Sequence, residues 1–383
     1  MARGIFKIIT AALAVSAAVS AAQASGFSRG SADTEILFEE GNFNMRSGVT
    51  YVSPTRKFTS HQGNPALVGT DYTDAYAIFS GAIKLNATDD LRCAGTISQP
   101  YGGSASFNAP TGTIAGGPGK LTENFTINEI GVTCAYKFDL AKGRAWLIGG
   151  VYQEIFDYDR VNFRSAATRF HLRLAGTDTG FRVGAAYEIP EIALRAQLMY
   201  RASSSYGATG TFNIETLAGT PVGSFAATGT GNLPQSVEMK LQSGVAPGWL
   251  VFGSVKWTDW SVTEQLVVNV PALALTQPNN YFWSDGWTVS AGVGHAFNEK
   301  LSGAASITWD KSIKTGWDLS STTWTLGVGG AYKDDLGGEL RFGGGVTYLA
   351  SAAETNYTPA TGGNSAVGGG WAWALGASYK TKW

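Results

Sequence analysis

Cys93 and Cys134 are the only cysteines in this chain of 383 residues, and His61, His171 and His295 are its only histidines. A zinc-type centre needs several thiolate or imidazole ligands at close spacing, and these five residues are scattered. No histidine stands in a recognisable nucleophile context, so acyl transfer has no evident base. Glycine pairs such as Gly343-Gly344 occur, but none follows a strand and opens a helix as a phosphate-binding loop does. The chain therefore reads as a non-enzyme without metal or cofactor. The chemistry left to the cysteines is with one another. They lie almost symmetrically about residues 104–121, on segments expected to be antiparallel neighbours. In an oxidising compartment this predicts a cross-strand disulfide; the alternative is two free thiols.

The charged and polar side chains recur at every second residue. In 192–201, Arg195, Gln197, Met199 and Arg201 alternate with Ile192, Leu194, Ala196, Leu198 and Tyr200. In 301–310, Ser302, Ser306, Thr308 and Asp310 oppose Leu301, Ala305, Ile307 and Trp309; in 169–174, Arg169, His171 and Arg173 alternate with Phe170, Leu172 and Leu174. Period-two alternation marks a strand with two unlike faces. The apolar set suits lipid and the polar set a lumen, because a basic residue on the lipid face near the midplane costs about 2–4 kcal/mol. The same parity turns both cysteines outward, so their bridge would be structural.

The elements holding these residues follow from the rest of the chain. Arg3 and Lys7, then the small and apolar stretch to Ala22, then Ala22-Gln23-Ala24 read as a secretory signal over 1–24. No later stretch approaches the roughly 18 consecutive apolar residues of a spanning helix. The other way across a membrane is a closed barrel, which satisfies every backbone group by closure. The 50 Gly, 19 Phe, 15 Tyr and 12 Trp, with only 15% charged residues, suit such a barrel and its aromatic girdles. A formal net charge of −1 leaves no basic footprint for nucleic acid. The closing segment sets Trp371, Trp373, Leu375, Ala377, Tyr379, Thr381 and the terminal Trp383 on one face.

Six short turns punctuate the alternation: 87–90, 139–143, 189–191, 246–248, 298–300 and 334–336. They join seven up-down pairs, which predicts an all-β, transmembrane, antiparallel up-and-down barrel of about fourteen strands over 45–383. Between the turns, the Gly/Ser/Thr/Asn-rich stretches 104–121, 204–233 and 350–367 are expected to be long extracellular loops. Residues 25–44 precede the barrel. Their Asp33, Glu35, Glu39 and Glu40 would pair with lumen arginines and seat the segment as a plug, or else the segment is a solvated tail.

Several short motifs follow one another collinearly: Gly184-Ala185-Ala186-Tyr187-Glu188, Tyr200-Arg201-Ala202-Ser203, Trp257-Thr258-Asp259-Trp260-Ser261 and Trp309-Asp310-Lys311-Ser312-Ile313. With 324–332 and the closing strand, their order and spacing resemble the FadL/TodX-type outer-membrane transporters of long-chain fatty acids and other hydrophobic molecules. The resemblance implies a monomer in outer-membrane lipid and lipopolysaccharide, and an N-terminal hatch inside the barrel. It also implies an inward kink in an early strand that releases ligand sideways. Two departures stand out. Residues 25–44 are short for a hatch, and the family's Asn-Pro-Ala is not among them. Asn64-Pro65-Ala66 falls instead in the expected first extracellular loop, so the hatch role is not carried onto it.

In the third strand, 91–103, Pro100 removes a ladder donor, and Gly102 and Gly103 permit a bend. The stretch Gly95 to Gly103 is accordingly expected to wall the lateral opening, unless Pro100 simply begins a loop. A fatty acid needs an apolar groove, worth about 0.8 kcal/mol per methylene, and cations at its carboxylate. Arg195, Arg201 and Lys256 are the candidates, with Met199, Leu250 and Phe252 as apolar companions; the alternative for each arginine is a protein carboxylate. A general diffusion porin for small polar solutes is the competing function, disfavoured by a lumen face of small, hydroxyl and apolar residues.

Overall fold

The computed structural model describes residues 26–111, 119–358 and 363–382; the signal segment and Trp383 lie outside the described residues. Fourteen antiparallel staves close on themselves. They are β1 (Phe43–Thr55), β2 (Tyr76–Asn86), β3 (Leu91–Ser106), β4 (Gly119–Asp139), β5 (Arg144–Phe163), β6 (Thr168–Ile189), β7 (Leu194–Arg201 continuing as Ser204–Thr216), β8 (Pro221–Leu233 and Ser236–Ala246), β9 (Trp249–Thr258 and Gln265–Val270), β10 (Leu275–Asn280 and Gly286–Ala296), β11 (Leu301–Asp310), β12 (Thr323–Lys333), β13 (Glu339–Leu349) and β14 (Gly370–Lys382). β1 pairs with both β14 and β2, which closes the ring. All six short turns fall between staves.

Burial follows parity. Leu198, Val132, Leu147, Trp324, Trp373 and Leu375 are exposed on the outer wall, while Gln197, Thr133, Trp146, Thr325 and Ala374 are buried inside. Cys93 and Cys134 sit opposite one another on β3 and β4 and are joined by a disulfide.

Two expectations need correction. The stretch 204–233 is not a loop but a long hairpin, β7 to β8, turning at Leu217–Thr220. Its glycines, serines and threonines belong to strands that rise above the bilayer. β5 and β6, 20 and 22 residues long, rise with it; crossing the membrane takes only about 9–11 residues. Second, in 169–174 the faces are the reverse of those expected. Leu172 and Leu174 are 1% and 2% exposed inside the barrel, while Arg173 is exposed outside and His171 bonds Asp159 and Glu215. Above the membrane the outer face meets water and the inner face meets other side chains, so the polarity inverts while the parity does not.

The mouth carries a cap. Phe58–His61, Ala352–Ala353 and Ser365–Val367 form a small sheet, the last two within the expected loop 350–367. Asn64 caps the short turn Pro65–Leu67 there, its side chain accepting from Ala66 N at 3.1 Å. The Arg56 guanidinium ties the cap together by donating to Leu319 O at 2.6 Å and to Ala350 O. Burial in the cap pushes the Glu354 carboxyl up to about 7 and that of Asp318 to about 6. A carboxyl raised above its unfolded value stabilises the cap fully below about pH 4 and loses that contribution as pH rises through 6 and 7. Amide exchange in 350–358, corrected for intrinsic rates, is therefore expected to be faster at about pH 8 than at about pH 5. Equal protection at both would contradict this.

Candidate functional site: the lumen and an interrupted wall

The N-terminal segment lies inside the barrel and touches several walls. Arg46 of β1 holds Asp33 and Glu39. Glu39 also meets Lys380 of β14 at 3.2 Å and Arg341 of β13 at 3.5 Å. Glu35 pairs with Arg195 of β7 and with Lys240 of β8 at 3.3 Å. Glu40 is exposed. Between these anchors Thr34–Phe38 forms a short 3-10 turn whose Ile36, Leu37 and Phe38 pack on Ala82, Ala94, Ala135, Trp146 and Ile148. The carbonyls that this turn leaves unpaired are met by cations: Lys84 Nζ donates to Glu39 O at 2.6 Å and Gly41 O at 2.7 Å.

Upstream of the turn the chain reaches the wall at a break. β2 and β3 are paired from Asn86↔Arg92 to Gly81↔Ile97, and their ladder stops there. β3 continues to Ser106 on β4, but its register slips between Ser98 and Tyr101, a bulge at Gln99-Pro100. The vacated edge of β3 is taken by the N-terminal segment. Arg29 N donates to Pro100 O, Gly30 N to Gln99 O and Gly102 N to Phe27 O, at 2.9, 2.9 and 2.8 Å. A Cβ on Gly102 would lie 2.8 Å from the Arg29 guanidinium, which would have to shift to admit it. Gly103 pairs with Phe125 beside the Phe27 ring. Gly95 lies below the break, paired with Ile83 and Val132.

Phe27 points into a box of rings. Its centroid is 4.8 Å from Phe125, 4.9 Å from Trp283, 5.4 Å from Tyr281 and 6.3 Å from Trp260. The indole N–H groups of Trp260 and Trp283, 0% and 5% exposed, find no acceptor among the described residues. Beyond them lies the apolar filling of the upper barrel, including Phe156, Leu172, Tyr206, Phe212 and Leu266. Beneath it runs a buried polar belt. Arg201 bonds Glu129 at 2.9 Å and Glu154, donates to Tyr101 Oη at 3.2 Å, and stacks over Tyr152 at 4.4 Å. Arg182 pairs with the other Glu129 oxygen.

Arg195 and Arg201 thus face the lumen but carry protein carboxylates, Arg195 also reaching Glu188 at 3.7 Å. Both show the alternative pairing with protein carboxylates, and a ligand anion would have to displace a carboxylate from each. Lys256 is different. It stands across the β9 ladders from Glu238 and Thr288, and among the described residues no carboxylate lies within ion-pair distance of it. Met199 packs against the Ile36–Phe38 cluster. The box residues Phe27, Trp260, Tyr281 and Trp283 carry no alternation signal. Trp260 sits in a break in β9, Tyr281 and Trp283 sit in the break in β10, and Phe27 lies outside the staves, where period-two reading is silent.

Residues 10–380 match the family described as Outer membrane protein transport protein (OMPP1/FadL/TodX). The chain belongs to this family. No curated protein sequence matches it. Among solved structures, a FadL homologue of Pseudomonas aeruginosa superposes with a TM-score of 0.69 at 12% identity, covering 91% of each chain. The toluene transporter TodX of Pseudomonas putida gives 0.66 at 13%, covering 96% of this chain and 98% of its own. The toluene transporter TbuX of Ralstonia pickettii gives 0.65 at 13%, covering 96% and 97%. As an OMPP1/FadL/TodX protein the chain is an outer-membrane transport protein and not an enzyme, and its barrel is that of its relatives.

Proposed function

We propose that this protein takes up long-chain fatty acids or aromatic hydrocarbons and releases them sideways into the bilayer through the break between β2 and β3. The observation that carries the reading is that break: a ladder that ends at Gly81↔Ile97, an edge of β3 covered at Gln99–Gly102 by Phe27–Gly30, and contact with the chain before β2 resuming only higher, at Thr73↔Ala105 and Ser106 N to Tyr72 O. Withdrawing that short segment would join the ring-lined interior to lipid without unzipping any stave. The polar belt supports the same direction, because an apolar solute has no favourable path through Glu129, Glu154, Arg182 and Arg201. Lys256, with no carboxylate in ion-pair distance among the described residues, is the head-group partner for a fatty acid. The mature chain starts at Ser25 and works as a monomer among phospholipid and lipopolysaccharide.

Pro100→Val restores a ladder donor at the bulge. It is expected to lower uptake of radiolabelled oleate or toluene severalfold while leaving the amount of heat-modifiable, folded barrel unchanged. Wild-type uptake would count against lateral release. Brisk swelling of protein-loaded liposomes in sugars would favour the diffusion porin instead; the ring box and polar belt lead us to expect little.

A further inference from the structure

The upper interior has two kinds of wall. From β4 to the upper part of β10 it is a tall sheet with continuous ladders. On the remaining side β11 to β14 and β1 stop lower, and loops of the cap close the space. The two meet at residues 281–285, between the halves of β10, which have no regular secondary structure. There Phe282 adopts φ +45°, in the left-handed region that a bulky side chain avoids. It is held by its surroundings. Glu264 O accepts from Tyr281 N and Phe282 N at 2.8 and 3.1 Å. The Thr315 hydroxyl, in the loop after β11, donates to Phe282 O at 2.7 Å and lies 3.3 Å from Tyr281 O. Strain kept in place by a few bonds is typical of segments that move.

Aromatic rings cross this seam in series. Tyr357 of the cap lies 5.3 Å from Trp317, and Trp317 lies 5.7 Å from Phe282. The next residue, Trp283, and its neighbour Tyr281 both touch Phe27 in the inner box. Opening the sheet elsewhere would break several consecutive ladder bonds, whereas the seam is closed mainly by Glu264, Thr315 and the bond from Ser284 N to Ile313 O.

We propose that the segment Tyr281–Trp283 is the extracellular door through which hydrophobic solutes, aromatic ones above all, pass along Tyr357, Trp317 and Phe282 to the Phe27 box. This rests on the transport reading above and adds to it the way in. Thr315 is the latch. A solute leaving water exchanges one ring face for the next, so no step exposes it to the charged belt below.

The test uses cells that lack other hydrophobic-compound transporters and express the full-length protein, with radiolabelled naphthalene supplied outside. Phe282→Asp suits the left-handed backbone, which aspartate tolerates, but sets a charge in the path. Uptake should fall about tenfold or more, because desolvating a solute route past an unpaired charge is costly. Equilibrium quenching of tryptophan fluorescence by naphthalene in the purified barrel should stay close to wild type. Thr315→Val, which removes the latch, should speed uptake. Wild-type uptake in both variants would overturn the door. So would a Phe282→Asp barrel that has lost equilibrium binding as well, since Phe282 would then act in the inner box. If the wild-type protein takes up neither naphthalene nor oleate, the transport reading itself fails, and the door with it.

Discussion

Arg201→Met should destabilise the barrel by about 3–5 kcal/mol, the usual consequence of deleting one partner of a buried ion pair. Glu129 and Glu154, each 2% exposed, would lose their common counter-ion; Arg182 would still serve Glu129, but Glu154 would retain only the Ser204 hydroxyl. Unfolding in urea from lipid vesicles, followed by tryptophan fluorescence, measures the loss. Lys256→Met supplies the contrast, because no ion pair is broken. It should unfold near the wild-type midpoint and weaken oleate binding. An Arg201→Met barrel of normal stability with impaired oleate binding would instead return Arg201 to the head-group role.

Glu39→Gln is expected to release the N-terminal segment from its seat. One carboxylate there faces Arg46, Lys380 and Arg341, and its neutral replacement leaves those cations gathered without it. Arg46 keeps Asp33, and Arg341 and Lys380 keep Glu339, so the penalty stays below the roughly 3–5 kcal/mol of an uncompensated buried charge and short of the roughly 5.5 kcal/mol that carries a two-state equilibrium from one side to the other. Asp33 and Glu35 keep their own partners, so the segment should alternate between seated and unseated rather than leave outright. Planar-bilayer recording should show intermittent ion conductance absent from the wild type. Silent bilayers from a folded Glu39→Gln barrel would mean that the segment is held chiefly by the apolar packing of Ile36, Leu37 and Phe38.

The stave count was legible because periplasmic turns are short and built from residues that break alternation, so all six were visible. The lumen face of β7 was legible because Arg195, Gln197, Met199 and Arg201 sit where lipid would penalise charge. Period two was misleading above the bilayer. His171 and Leu172 have the parity of their neighbours below, but parity does not say which side is wet, and only the length of β5 and β6 could have warned of the change. Glycine and threonine in 204–233 looked like loop composition, yet Tyr206, Ala208 and Phe212 alternate there and are buried. That the acidic N-terminal cluster meets lumen arginines was legible, and Glu35 does meet Arg195; the partners of Arg201 were not, since Glu129 and Glu154 lie on other staves. Nothing local marks Phe27 as a plug for a box assembled from Phe125 and from rings more than 200 positions away.

The bond between Cys93 and Cys134 has a consequence for how the chain keeps count. A one-residue slip between two strands turns every side chain to the opposite face, and glycine- and serine-rich strands resist such slips weakly. β3 is of that kind, and it already contains one irregularity, between Ser98 and Tyr101. Because the sulfurs join residues directly opposite each other below that point, the extra residue cannot be absorbed downward. It must appear above Cys93, and it does so between Ser98 and Tyr101. The covalent link thus acts as the origin of a ruler, and the address of the break in the wall is measured from it.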